Sequence, residues 1–350
     1  MLKPKVIVIG GPTASGKTAL SIELAKRLNG EIISADSMQI YKDMDIGTAK
    51  PTAEEMQGIK HYLIDCISPQ KRYSVAEFKK DAINAIEEII KNGKFPIVVG
   101  GTGLYIDSLV YGIDYSEITV DLEYRKHLEE LVQERGLEYV YDLAKKIDPE
   151  AISKISENDK KRIFRVLEIF NATGKNKTEI EIESRKNGIK YDYRTFALNM
   201  DRAMLYDRIN KRVDLMIEAG LIEEVRKLLE KYPSMPTAMQ GLGYKEVVDF
   251  FEGKYSKEDM IEKIKQESRR YAKRQLTWFR KNKEIKWIDA SKEMEEKIGF
   301  IMEEIRWSNY RKEKYEKKNR KKRIREEKNN QNCDYCCMCC YFNIFDCTIS

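Results

Sequence analysis

Two rhythms of apolar residues alternate through the first third of the chain. Lys5 to Ile9 is a short continuous run of buried-strand type, and Thr18 to Leu28 carries Leu20, Leu24 and Leu28 on one stripe before Asn29-Gly30 stops the helix. A glycine-rich turn separates them. Glu31 to Ala35 reads as a second strand ending at Asp36. Ser74-Val75-Ala76-Glu77 is a capping-box pattern that opens a helix with Phe78, Ala82, Ile86 and Ile90 on one face, closed by Asn92-Gly93 before a strand over Pro96 to Val99. Strands and helices alternating at this length predict a parallel sheet with helices on both faces.

The texture changes after Gly112. Asp121 to Arg135, Glu138 to Lys146 and Asn158 to Asn171 are charged, helix-period segments with almost no strand signal, so 113–190 reads as an all-helical insertion. Thr195 to Asn199 returns to the sheet, Arg202 to Lys231 and Glu258 to Lys283 read as long helices, and Lys286 to Ile288 as a last small strand. The expected organisation is a first part of the core over 1–112, the insertion over 113–190, the core return and C-terminal helices over 191–307, and a basic, cysteine-rich tail over 308–350 without fixed structure.

With 42% hydrophobic and 35% charged residues, the chain can bury a core under a wet surface, which excludes membrane, collagen-like and wholly disordered classes. The net charge is +6, from 64 Lys and Arg against 58 Asp and Glu. The excess lies from Arg306 onward, so the global balance says little about partners. The first apolar run is too short for a signal peptide or a membrane span, and the expected location is the cytoplasm. Of seven cysteines, Cys66 stands alone and Cys333, Cys336, Cys337, Cys339, Cys340 and Cys347 crowd the tail, so no disulfide framework holds the main body.

Gly11, Pro12, Thr13, Ala14, Ser15, Gly16, Lys17 and Thr18 fit the phosphate-binding loop G-x-x-x-x-G-K-[ST], after a predicted strand and opening a predicted helix. The backbone can wrap a phosphate group, the helix start offers free N–H donors, Lys17 neutralises charge and the Thr18 hydroxyl suits Mg²⁺. The fold class is therefore α/β, a P-loop NTPase-like parallel sheet core flanked by helices. Asp36 should emerge at the carboxyl edge of the sheet, where it could act on Mg²⁺ indirectly, serve as a general base, or simply cap the next turn. Gly100-Gly101-Thr102-Gly103 is a second glycine-rich loop at that edge, more simply read as a tight turn. No strand ends in a clear Walker B carboxylate. Leu63-Ile64-Asp65 is the only short candidate, which weakens an ordinary ATPase reading. His61 and His127 lie in unrelated segments and support neither a triad nor a zinc hydrolase. Basic residues at helical spacing (Lys161, Arg162 and Arg165; Arg208 and Arg212; Arg269, Arg270, Lys273 and Arg274) suit a nucleic-acid backbone or a solvated face. Gln240-Gly241-Leu242-Gly243-Tyr244 could stack on a base or merely turn the chain.

Six ordered motifs make a resemblance specific: residues 11–18, Ser-Ala-Asp-Ser-Met-Gln-Ile-Tyr at 34–41, Asp-Ile-Gly-Thr-Ala-Lys-Pro at 45–51, Val-Gly-Gly-Thr-Gly-Leu-Tyr at 99–105, Gly-Leu-Gly-Tyr-Lys-Glu at 241–246 and Lys-Arg-Gln-Leu-Thr-Trp-Phe at 273–279. Over roughly 3–290 the chain resembles the bacterial tRNA dimethylallyltransferase (isopentenyltransferase) family. The resemblance implies transfer of a dimethylallyl group from dimethylallyl diphosphate to the exocyclic amine of the adenosine 3′ of the anticodon, with release of diphosphate, by a monomer that uses Mg²⁺. It implies that Thr13 to Thr18 grip the diphosphate with Mg²⁺ at Thr18, that Asp36 accepts the amine proton, and that Ser37, Met38 and Gln39 seat the flipped base. Arg212 would neutralise the leaving group, with Arg208 as a second candidate. Thr102, Arg125, Lys161, Arg162, Ile163, Phe164, Arg165, Gln240, Gly241, Leu242, Gly243, Tyr244 and Lys245 would meet the tRNA anticodon stem-loop. The tail departs from the family. Bacterial members usually end near Trp307, and eukaryotic relatives can carry a zinc finger with Cys and His ligands; no His lies here, four thiolates could still bind zinc, and the favoured expectation is an unstructured extension. Two other readings stay open: a small-molecule P-loop kinase with Asp36 as base, and a non-catalytic RNA-binding protein. Whether ATP also binds is not legible.

Overall fold

The computed structural model describes residues 3–114, 121–186 and 188–306. In chain order the elements are β1 (Lys5–Gly10), α1 (Lys17–Leu28), β2 (Gly30–Ser34), α2 (Ala53–Met56), β3 (His61–Tyr62), α3 (Val75–Lys91), β4 (Phe95–Val99), α4 (Gly103–Val110), α5 (Leu122–Ile147), α6 (Pro149–Ile152), α7 (Lys160–Thr173), α8 (Lys177–Lys186), β5 (Asp192–Asn199), α9 (Arg202–Glu218), α10 (Leu221–Lys231), α11 (Tyr244–Phe251), α12 (Lys257–Arg280) and β6 (Lys286–Asp289). Met1–Lys292 forms one compact unit and Glu293–Ser350 a second, helical over 294–306 in its described part. The basic run and the cysteine cluster of the tail lie outside the described residues.

All six strands are parallel, in the order β3-β2-β4-β1-β5-β6. The central β1 is Val-Ile-Val-Ile between neighbours on both sides, and Val6 to Ile9 are fully buried, as a strand covered on both faces requires. Because every strand runs the same way, the loops after β1, β2 and β4 emerge at one edge. One face is packed by Val6, Val8, Ile33 and Val98 against Phe78 and Ile86 of α3, with Tyr105 of α4 stacked on Phe78 at 4.1 Å between centroids.

The returning strand starts earlier than its apolar core suggests. Asp192, Tyr193 and Arg194 do not look like a buried run, yet they pair with Lys5, Val6 and Ile7. The expected single helix over Arg202 to Lys231 is two helices, because Gly220 takes φ 97° and starts α10 afresh. The same logic breaks α5 at Gly136, whose φ of 84° and ψ of 163° are not helical. The helices α5 to α7 build their own apolar cluster from Leu128, Val140, Ile152, Ile163, Phe164 and Leu167. The buried Asp148 ties this region together by accepting the N–H groups of Ala151 and Thr178 at 2.9 Å each and the Thr178 hydroxyl at 2.8 Å.

Candidate active site

The loop between β1 and α1 is shaped for an anion. Gly16, at φ 89°, opens α1 with no side-chain cap and no acidic residue in its first turn, so the helix start keeps donors and positive potential. Ser15 Oγ and Lys17 Nζ both donate to the Pro12 carbonyl, at 2.8 and 2.6 Å. From α9, Arg212 Nη1 reaches Thr13 Oγ1 at 3.3 Å. Burial, then the Arg212 charge, push the Lys17 amine down to about 7, against a smaller opposing pull from Asp36. Burial also lowers Arg212, with Glu55 and Asp36 opposing. Two crowded cations with one nearby carboxylate leave a site that a polyanion would relax. Arg208 sits one turn earlier on α9, is exposed, and makes no described contact with the loop.

Asp36 leaves β2 half-buried, and its Oδ1 accepts the N–H groups of Met38 at 2.9 Å and Gln39 at 3.3 Å. It therefore caps the next turn while its charge still reaches Lys17, Arg212 and Tyr271. Thr102 Oγ1 accepts the Ser37 N–H at 3.1 Å, and Thr102 N–H donates to the Ala35 carbonyl at 3.2 Å. The second glycine loop is thus more than the simple turn expected of it: it is laced to the Asp36 segment. Gln39 differs from its expected role. Its amide donates to the carbonyls of Thr48 and Ala49, at 3.2 Å each, and accepts from Ser34 Oγ at 3.3 Å, so both its donors are engaged in bracing the loop.

The candidate Walker B segment is a turn. β3 ends at Tyr62, and Leu63 and Asp65 take φ 58° and 54°. Asp65 pairs with Lys50 at 2.8 Å, which also holds Asp45 and the Tyr41 carbonyl, so its carboxylate is structural. At the end of β4, a Cβ on Gly100 would lie 2.1 Å from the Ala35 carbonyl, which explains why no carboxylate stands there.

The long helix α12 closes the site. Gln275, 5% exposed, accepts the Thr13 N–H on Oε1 at 2.9 Å and donates from Nε2 to the Gly101 carbonyl at 3.0 Å. One turn on, Trp278 Nε1 donates to Asp107 at 2.8 Å, and a Cβ on Gly103 would fall 2.2 Å from the indole. Burial pushes Asp107 up to about 6, opposed by that hydrogen bond and by Lys281 and Arg185. Tyr271 lies one turn before Gln275. Burial and the Asp36 charge raise its hydroxyl, hydrogen bonds to Thr102 and Gln275 oppose this, and the Arg274 guanidinium sits 5.7 Å from its ring.

On the helical segment, Lys161 and Arg162 are exposed, but Ile163 and Phe164 are core residues at 0% and 3% exposure. Their side chains belong to the apolar cluster and cannot meet RNA as expected, because both are packed against Leu128, Val140 and Ile152 and out of reach of solvent. Arg125 and Arg165 converge on the buried Glu168, at 2.8 and 3.6 Å. In the 240s, Gln240 and Lys245 are exposed, Leu242 is half-buried, and Gly241 and Gly243 are buried. Tyr244 is fully buried and its hydroxyl donates to Glu224 at 2.6 Å, so it cannot stack on a base. Glu224 also accepts the N–H groups of Asp45, Ile46 and Gly47, anchoring the loop that Gln39 braces.

The family model described as IPP transferase matches residues 39–282. The chain belongs to the IPP transferase family. A tRNA dimethylallyltransferase of Acetivibrio thermocellus is 54% identical over 295 residues, covering 84% of this chain and 94% of that protein. One from Bacillus cytotoxicus is 51% identical over 289 residues, covering 83% and 91%. The crystal structure of a full-length tRNA isopentenylpyrophosphate transferase from Bacillus halodurans matches with a TM-score of 0.67 at 43% identity, over 90% of this chain and 99% of that one. A eukaryotic dimethylallyltransferase acting on tRNA matches with a TM-score of 0.69 at 35% identity, over 82% and 74%. Family membership makes the chain a transferase of tRNA modification, and the P-loop-like fold agrees with it. Within it, sequence reasoning missed Gln275, Glu224 and Glu168. Gln275 stands inside the motif at 273–279, but only the fold shows its partners 262 and 174 positions away. Glu224 and Glu168 looked like ordinary charges on helix faces.

Proposed function

We infer that this chain transfers the dimethylallyl group of dimethylallyl diphosphate to the exocyclic amine of the adenosine 3′ of the anticodon in tRNA. The observation that carries the reading is the pairing of an anion-ready loop, where Lys17 and Arg212 crowd one another, with a single carboxylate, Asp36, on the adjoining loop. In the reaction the bond between the allylic carbon and the diphosphate oxygen breaks, a bond from the exocyclic nitrogen to that carbon forms, and the amine proton passes to Asp36. Lys17, Arg212 and the start of α1 take the growing charge of the leaving diphosphate. The target adenosine must leave its stack to reach this edge, and the exposed Lys161, Arg162, Gln240 and Lys245 and the half-exposed Arg125 and Arg165 suit a role in holding the stem-loop.

Thr18 fits Mg²⁺. Its hydroxyl is a hard oxygen donor at the phosphate loop, and Mg²⁺ binds through one or two protein oxygens with substrate phosphates and water. Among the described residues no cluster of three metal-ligating side chains exists that would point to a different kind of site. Bound there, Mg²⁺ would supply charge neutralisation to the diphosphate. Among the described residues no helix is long and apolar enough to cross a membrane. Purified protein is incubated with Mg²⁺, unmodified tRNA and labelled dimethylallyl diphosphate. Label in the RNA that vanishes with Lys17→Ala supports the reading, whereas phosphoryl transfer from ATP to a small acceptor without RNA would replace it with the kinase.

A further inference from the structure

The P-loop here is modified in a way its motif does not announce. In such loops backbone N–H groups are the phosphate donors, yet the Thr13 N–H is occupied by the side-chain oxygen of Gln275, while the same amide's nitrogen holds the Gly101 carbonyl. Only this orientation of the amide satisfies both partners, since one is a donor and the other an acceptor. Gly101 leaves the space this requires: a Cβ there would lie 2.1 Å from Nε2. The next residue, Thr102, holds the Ser37 N–H beside Asp36. A continuous chain of bonds therefore runs from the phosphate loop through Gln275 to the loop that carries the carboxylate.

We propose that Gln275 is a positioning residue that fixes the separation between the diphosphate-holding loop and the Asp36 segment, and thereby aligns the allylic carbon with the attacking amine. The proposal rests on the prenyl-transfer reading. Each loop keeps its own ligand-binding groups without Gln275. Loosening the strap should therefore cost alignment and leave affinity in place, and misplacement of about 1 Å can lower a rate about 100-fold.

Two full-chain variants test it. Gln275→Met keeps volume and removes the hydrogen bonds to Thr13 and Gly101, together with the one shared with Tyr271. Its single-turnover transfer rate should fall about 30-fold or more, with dissociation constants for inorganic pyrophosphate and for tRNA each within about threefold of wild type. Gln275→Glu keeps the acceptor for Thr13 and turns a second acceptor toward the Gly101 carbonyl. Protonating that carboxyl restores a donor, so the ratio of its rate to the wild-type rate should rise as pH falls from 8 to about 5.5, where the Met variant stays flat. A Met variant at wild-type rate, a loss carried wholly by pyrophosphate affinity, or a pH-independent Glu ratio would overturn the strap. A wild-type protein that binds tRNA and pyrophosphate but transfers no label would overturn the prenyl-transfer reading itself, a distinct result.

Discussion

The sheet edge and the helical segment satisfy their polar groups over different distances along the chain. At the edge, Thr13 meets Gln275, Arg212 meets Thr13 and Trp278 meets Asp107, with 262, 199 and 171 residues between partners. Over 122–186, the bonds are short-range: Asp121 caps its own helix, Asp148 reaches 3 and 30 residues ahead, and Arg125 reaches Glu168 across 43. On the proposed function, the edge that would align two substrates is held by contacts that form only when the whole core has closed, whereas the helical segment proposed to hold tRNA needs only its own helices in place. Long-range closure carries the larger loop entropy, so the edge is also the part whose geometry depends most on the rest of the fold.

The comparison breaks most sharply at Asp36. Asp36→Ala should lower single-turnover transfer about 100-fold or more while tRNA affinity stays within about threefold, as loss of a general base does; matched losses in rate and binding would make Asp36 a seating group. Next is pH. Because burial and the Arg212 charge hold Lys17 down at about 7, its amine loses its proton above that pH, and binding of a diphosphate must restore it. Affinity for dimethylallyl diphosphate should therefore weaken as pH rises, by up to about tenfold per unit above 7, and titration calorimetry in two buffers should detect the proton taken up. Lys17→Met should remove that slope. In the helical segment, Asp148→Ala strands buried donors and should cost about 1–3 kcal/mol of stability, read by denaturant melts, with pyrophosphate affinity unchanged. The smallest effect belongs to Arg165→Ala: a few-fold loss of tRNA affinity and a salt slope shallower by about 1. An unchanged slope would take Arg165 out of the interface.

Local patterns made much of this legible. The P-loop, the Ser74 capping box and the strand-helix alternation each depend on residues within one or two turns, and each recurs in the fold. Orientation was harder. Ile163, Phe164 and Tyr244 sit inside segments assigned to RNA, but a segment cannot tell its inward face from its outward one when charges flank both. Asp192 to Arg194 escaped as strand because their partners, Lys5 to Ile7, supply the apolar context from another part of the chain. Gln39 read as a base-seating group, whereas its amide is engaged by Thr48 and Ala49, a pairing that only the folded loop defines.

The glycines of the edge carry a consequence for how such a sequence can drift. Gly101 makes room for Gln275, Gly103 for Trp278 and Gly47 for Tyr244, whose ring would lie 2.4 Å from a Cβ at 47. Each pair is a lock and its key on distant stretches of the gene. A single change on either side meets an occupied space, and a change on the other side must come with it. Variation at these positions should therefore travel in couples. Recombination that swaps the codons for residues 1–110 with a distant relative, and so parts all three glycines from their partners, should disturb this protein more than the same number of scattered substitutions on its surface helices.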